Sequence, residues 1–166
     1  MQKQIHELFE ILADGGLDAA DLDALTAEVG KAAADADAYL AADSASGYPA
    51  FAASNGDAAM PLWQWVLLEQ LEGGMVFRGN RIAELYDDIL DAFGEGELDL
   101  AAETLAGHNE DAALKLVLEE LAPAYTLVNF AQPIDARRQM VLVRSTKLES
   151  FLAVCRELNL PISPAL

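Results

Sequence analysis

The sequence predicts an α+β fold, predominantly helical, with a small antiparallel sheet late in the chain. Three observations lead there. Apolar residues recur at helical spacing from Ile5 to Leu121, and the period turns extended after Pro123. Alanine, the strongest helix former, supplies 31 of the 166 residues. Aromatic and β-branched residues gather in two short runs, Tyr125-Thr126-Leu127-Val128-Asn129-Phe130 and Met140-Val141-Leu142-Val143-Arg144.

Ile5, Leu8, Phe9 and Leu12 place an amphipathic helix over residues 3–13, ended by Gly15-Gly16. A second begins near Asp18, with Leu22, Leu25, Val29, Tyr39 and Leu40 among its apolar positions, so helices are expected over 3–42. Residues 43–59 mix Ser, Gly, Pro, Asn and Asp and predict a long loop. Its aromatic pair, Tyr48 and Phe51, argues that it packs onto something. Pro61 suits the first turn of a third helix, which runs to Glu72 and stops at Gly73-Gly74. That helix is apolar nearly all round, which is the pattern of a central helix covered on several sides. Trp65, sharing an arc with Gln64 and Glu72, is also the candidate for an exposed apolar anchor.

A short strand is expected near 75–78. Gly79-Asn80 then introduces the cleanest amphipathic helix of the chain, with Ile82, Leu85, Tyr86, Ile89, Leu90 and Phe93 inward. Glu84, Asp87, Asp88 and Asp91 face outward, and Gly94 and Gly96 end the helix. Asp99 to Ala106 reads as a short helix, and Asn109 caps another through Leu121, completing a helical core over 61–121. Pro123 stops it. The two extended runs pair most simply as an antiparallel hairpin near 125–144, joined through Ala131 to Gln139. Thr146-Lys147-Leu148-Glu149 has capping-box spacing before a final helix that aligns Leu148, Phe151, Leu152, Cys155 and Leu158. Asn159 can supply the left-handed turn at its end, and a further strand is expected near 161–163. Residues 125–163 thus form a C-terminal ββα region, and the length fits a single domain over 1–166.

The run Trp63-Gln64-Trp65-Val66-Leu67-Leu68 before a Gly turn resembles a family of small uncharacterised bacterial proteins of unknown function. So does the order helix, Tyr125–Phe130, Met140–Arg144, helix, and the likeness spans residues 61–78 and 115–163. Members carry Asp-Trp-Lys after the first short strand, where this chain has Arg78-Gly79-Asn80. The resemblance implies a related α+β fold and no known activity.

Charge is the least ordinary feature. The chain has 28 acidic and 10 basic side chains and a formal net charge of −18. Residues 1–120 hold 25 acids and 5 bases, whereas residues 121–166 hold 3 acids and 5 bases. Sequence-independent nucleic-acid binding works by setting Lys and Arg against phosphates, so such a field opposes it. It opposes anionic membrane surfaces for the same reason. It can draw in a basic protein partner and speed the encounter. The plainer use of such charge is to keep an alanine-rich chain in solution. A homo-oligomer is compatible with the same composition. One cysteine, Cys155, permits no intrachain disulfide, no apolar run approaches a membrane span, and the first residues lack signal-peptide layout. The expectation is a cytoplasmic protein.

Motifs for chemistry are sparse. His6-Glu7-Leu8-Phe9-Glu10 lacks the second His of a zinc-protease helix, and the Asp21 and Asp35 runs lack the Gly and Glu of a calcium loop. Cys155 lies on an apolar helix face with no base beside it. His108, with Glu103, Glu110 and Asp111, places an imidazole and carboxylates at a helix start; these are the candidate residues of an alternative reading as a small-molecule or metal-dependent enzyme. Carboxylates there also complement the helix dipole, which is reason enough for them. Arg137, Arg138, Arg144 and Lys147 suggest an anion pocket, with Arg138 as its clamp, or internal pairing with the acidic helices. No cofactor and no metal are expected. The leading expectation is a non-catalytic domain that binds a basic protein through Asp87, Asp88 and Asp91, with Trp65 as apolar anchor.

Overall fold

The computed structural model describes residues 1–93, 98 and 100–166. They form two compact units, Met1–Glu72 and Gly73–Leu166.

In the first unit, α1 (Gln2–Ala13) buries Ile5, Leu8, Phe9, Ile11 and Leu12 and ends where Asp14 and Gly15 turn left-handed, at φ 47° and 85°. α2 (Ala19–Ala34) starts at Asp18, whose carboxylate accepts the Asp21 N–H at 2.8 Å. The helix expected to continue to residue 42 instead breaks at Asp35. Its backbone is extended, and its carboxylate accepts the Ala38 N–H at 3.0 Å to start α3 (Ala36–Ala41). Aspartate is a strong N-cap, and the flanking alanines supply little packing to hold one continuous axis. The loop expected over 43–59 holds α4 (Tyr48–Asn55) and a 3₁₀ turn at Gly56–Ala58. Pro49 fits the first turn of α4, and Phe51 is buried, so packing overrides the loop-like composition. α5 (Leu62–Leu71) follows Pro61, and both α1 and α5 pack on α2.

The second unit runs β1 (Val76–Gly79), α6 (Ile82–Phe93), α7 (Ala102–Ala106), α8 (Glu110–Leu121), β2 (Tyr125–Phe130), β3 (Arg138–Arg144), α9 (Leu148–Glu157) and β4 (Ile162–Pro164). The strands form one antiparallel sheet in the order β1-β3-β2-β4. The predicted hairpin is β2–β3, with Leu127 opposite Leu142 and Val128 opposite Val141. Alternation sends Phe77, Leu127 and Met140 to one face, where they join Ile82, Leu85, Tyr86 and Ile89 of α6 and Leu114 and Val117 of α8. Phe130 points to the opposite face, its ring 6.1 Å from that of Phe151 on α9. The sheet is therefore covered by α6 and α8 on one side and by α9 on the other.

Gly79 is where β1 passes against α6. A Cβ there would lie 3.1 Å from the Leu85 nitrogen and 3.2 Å from the Arg81 carbonyl, so a larger residue would require strand and helix backbone to give by a few tenths of an ångström. Asn159 takes the expected left-handed turn, at φ 56°. The capping box is not made. A 3₁₀ turn at Ser145–Lys147 precedes α9, and no side chain caps the helix. Ser145 is tied to the sheet end instead, its N–H to the Ala124 carbonyl and its hydroxyl to that of Thr126. Gly94, Gly96 and Asp99, the expected helix boundaries, lie outside the described residues.

Candidate functional site

The candidate site is the solvent face of α6. The first turn of any helix leaves backbone N–H groups without helical partners. Here Glu84 accepts from the Asn80 and Arg81 amides at 3.0 and 3.3 Å. Glu110, reaching from α8, accepts from the Ile82 amide at 2.9 Å and lies 3.9 Å from the Arg81 guanidinium. Two carboxylates are therefore used up in fastening the helix start. Asp87, Asp88 and Asp91 are not. All three are exposed on the helix whose other face buries Ile82, Leu85, Tyr86 and Ile89. Among the described residues, none of the three forms an ion pair or a hydrogen bond through its side chain.

Trp65 stands in the first unit and is half-buried. Its ring meets Tyr48 edge-on at 5.9 Å and Phe51 at 5.1 Å, and its indole N–H donates to Glu69. Gly47 approaches so closely that a Cβ there would lie 3.1 Å from the indole. Burial pushes the Glu69 carboxyl up, a shift the Trp65 hydrogen bond opposes and the neighbouring Glu72 adds to. The structure thus places Trp65 in an aromatic cluster built by α4 and α5, where the anticipated packing of Tyr48 and Phe51 finds its partner.

His108, Glu103 and Asp111 are exposed. The His108 Nδ1 lies 2.6 Å from the Thr104 carbonyl, which can only accept, so this nitrogen carries the proton. Glu110 is turned to the start of α6, as described. Asn109 makes the predicted cap, accepting the Ala112 N–H at 2.8 Å. Among the described residues no three His, Cys, Asp or Glu side chains gather to hold a metal ion. Arg138 is half-buried on β3 opposite Gly79, and no hydrogen bond or ion pair joins it to the His108 group among those residues.

Arg78, Arg137 and Arg144 are engaged internally, Arg144 at the far end of β3 from Arg138. Arg78 donates to the Gln139 side chain at 2.9 Å, and Gln139 donates on to the Phe130 and Gln132 carbonyls. Arg137 clasps Asp135 at 2.7 Å, and that hydrogen bond holds the Asp135 carboxyl below the usual range. Arg144 donates to the Tyr125 hydroxyl and lies over its ring at 5.0 Å. Cys155 is buried, and burial pushes its thiol up to about 12, which leaves no thiolate at neutral pH.

No family model, curated protein or solved structure matches the chain. No helix among the described residues is long and apolar enough to cross a membrane. Sequence periodicity found the acids of α6. It missed the second use of Glu110, because the amide it serves is 28 residues away and no local spacing encodes that contact.

Proposed function

We propose that this chain is a non-catalytic, acidic interaction domain of the cytoplasm that binds a basic protein through the outer face of α6. The observation behind this reading is the contrast within one helix. Glu84, like Glu110 from α8, is engaged by backbone amides, whereas Asp87, Asp88 and Asp91 stand in water without a cation among the described residues. Like charges on successive turns of an exposed face cost the helix a few tenths of a kcal/mol. A partner bearing Lys or Arg relieves that repulsion and is steered by the field of a chain with net charge −18. An enzyme site at His108 has weaker support, because Glu110 is already committed to α6.

The test is association with a basic protein recovered from native lysate by the tagged chain at about 50 mM salt, compared with a D87N/D88N/D91N variant. Binding that weakens steeply toward high salt and is lost in the variant supports the reading. Equal capture by both forms, or no basic partner at either salt, sinks it.

A further inference from the structure

The second unit contains a cavity that the acidic face does not use. It lies at the edge of β2, beside Leu127 and Val128, and is lined by Leu118 of α8, Leu148 and Leu152 of α9, and Ile162 of β4. The cavity measures about 450 Å³. Leu118, Leu148, Leu152 and Ile162 are each only half-buried, so four aliphatic side chains around one hollow keep part of their surface in water. Leu166 at the lip is 56 % exposed. Polar lining is confined to Thr126, whose hydroxyl is already bonded to Ser145 at 2.9 Å, and Ser163.

From this geometry we infer that the cavity binds the hydrocarbon chain of a small amphiphile. Size and edge chemistry select that occupant. The volume lies within the range of small-molecule pockets, about 300–1,000 Å³, and is some three times the roughly 150 Å³ that admits benzene in an apolar interior. Helix-in-groove binding seats anchors along two turns or more, roughly 11 Å of continuous apolar groove, whereas the half-buried aliphatic side chains here, Leu118, Leu148, Leu152 and Ile162, ring a single hollow. A partner strand is blocked too. β4 is the sheet edge here, only three residues long, and Pro164 within it has no N–H to offer a further ladder. A flexible aliphatic chain meets neither obstacle, and it leaves no polar group unpaired against these walls. The head group stays at the mouth in water, so an uncharged alcohol and a carboxylate of equal length are both admitted.

The experiment is methyl NMR of the whole chain titrated with 1-octanol, 1-decanol and decanoate. Saturable shifts are expected for the Leu148, Leu152 and Ile162 methyls, with 1-decanol binding about fifteenfold more tightly than 1-octanol, or about fourfold per methylene. Decanoate should move the same methyls, since its head group stays in the water at the mouth, and methyls that respond to 1-decanol but not to decanoate would overturn that placement. Leu152→Trp fills the hollow and should abolish the shifts while the methyls of α6 stay where they are. If that variant loses the folded spectrum, Ile162→Trp on the edge strand is the blocking change. No shifts at millimolar 1-decanol, an affinity independent of chain length, or undiminished binding in a folded blocking variant would overturn the inference.

Discussion

Two helices of similar length show how differently a hydrophobic pattern can be used. α6 carries a single apolar face, and the structure buries that face and leaves Asp87, Asp88 and Asp91 in water. α5 is apolar almost all round, and it is covered accordingly: Leu62, Val66, Leu67, Leu68 and Leu71 are buried, and α4 closes over Trp65. An amphipathic helix therefore announces its own exposed surface. A helix without a polar face requires further chain to cover it, and here that chain is the segment whose composition resembles a loop. The lesson is that surplus apolar surface in one element is a reason to expect structure in a neighbouring one.

The comparison can be broken most forcefully from inside α6. Leu85→Ala removes a fully buried side chain and should cost about 2–5 kcal/mol, read by urea denaturation of the whole chain. A loss under 1 kcal/mol would mean that this face is not the anchor of the helix. In α5, Trp65→Ala should cost about 1–3 kcal/mol and shift the ring resonances of Tyr48 and Phe51, since it removes the surface they share. Unmoved rings would show that α4 stands without α5.

Glu69 sharpens the comparison through pH. Its carboxyl is raised in the folded state, chiefly by burial, so folding disfavours the ionised form. That penalty is fully present above the folded value and disappears once pH falls below the ordinary glutamate range. Glu69→Gln, which keeps an acceptor for the Trp65 N–H, should therefore melt slightly higher than the parent chain at pH 7 and coincide with it near pH 3. A variant less stable at pH 7 would reverse the assignment. The smallest effect is expected on the outer face of α6, where Asp88→Asn should change stability by less than about 0.5 kcal/mol in a thermal melt. A larger loss would reveal a partner for that carboxylate within the fold.

Much of the architecture could be read from residue order. The 82–93 helix, the β2–β3 hairpin, the Asn109 cap and the left-handed Asn159 all rest on patterns that act within a few residues. Other local signals proved ambiguous. Asp35 looked like one more acid in a helix and is in fact a cap that starts a new one. Thr146 and Glu149 have the spacing of a capping box, yet the hydrogen bonds of Ser145 fix the chain one residue earlier. The candidate interaction face was legible because amphipathicity identifies an exposed side without reference to any other element. The cavity was not. Leu148 and Leu152 share the apolar face of α9 with Phe151 and Cys155, and nothing in their spacing separates the pair left half-open from the pair fully covered.

By itself, the sequence determined the helical and extended periods, the acidic surplus and the outward aspartates of α6, because backbone propensity, capping and solvation of charge are decided over a few residues. Tertiary structure alone decided the strand order β1-β3-β2-β4, the commitment of Glu110 to an amide in another helix, the covering of Trp65 and the hollow beside β4. Those depend on which distant surfaces meet, and the free energy of burying apolar area is non-directional, so it rewards contact without specifying the partner in any local pattern.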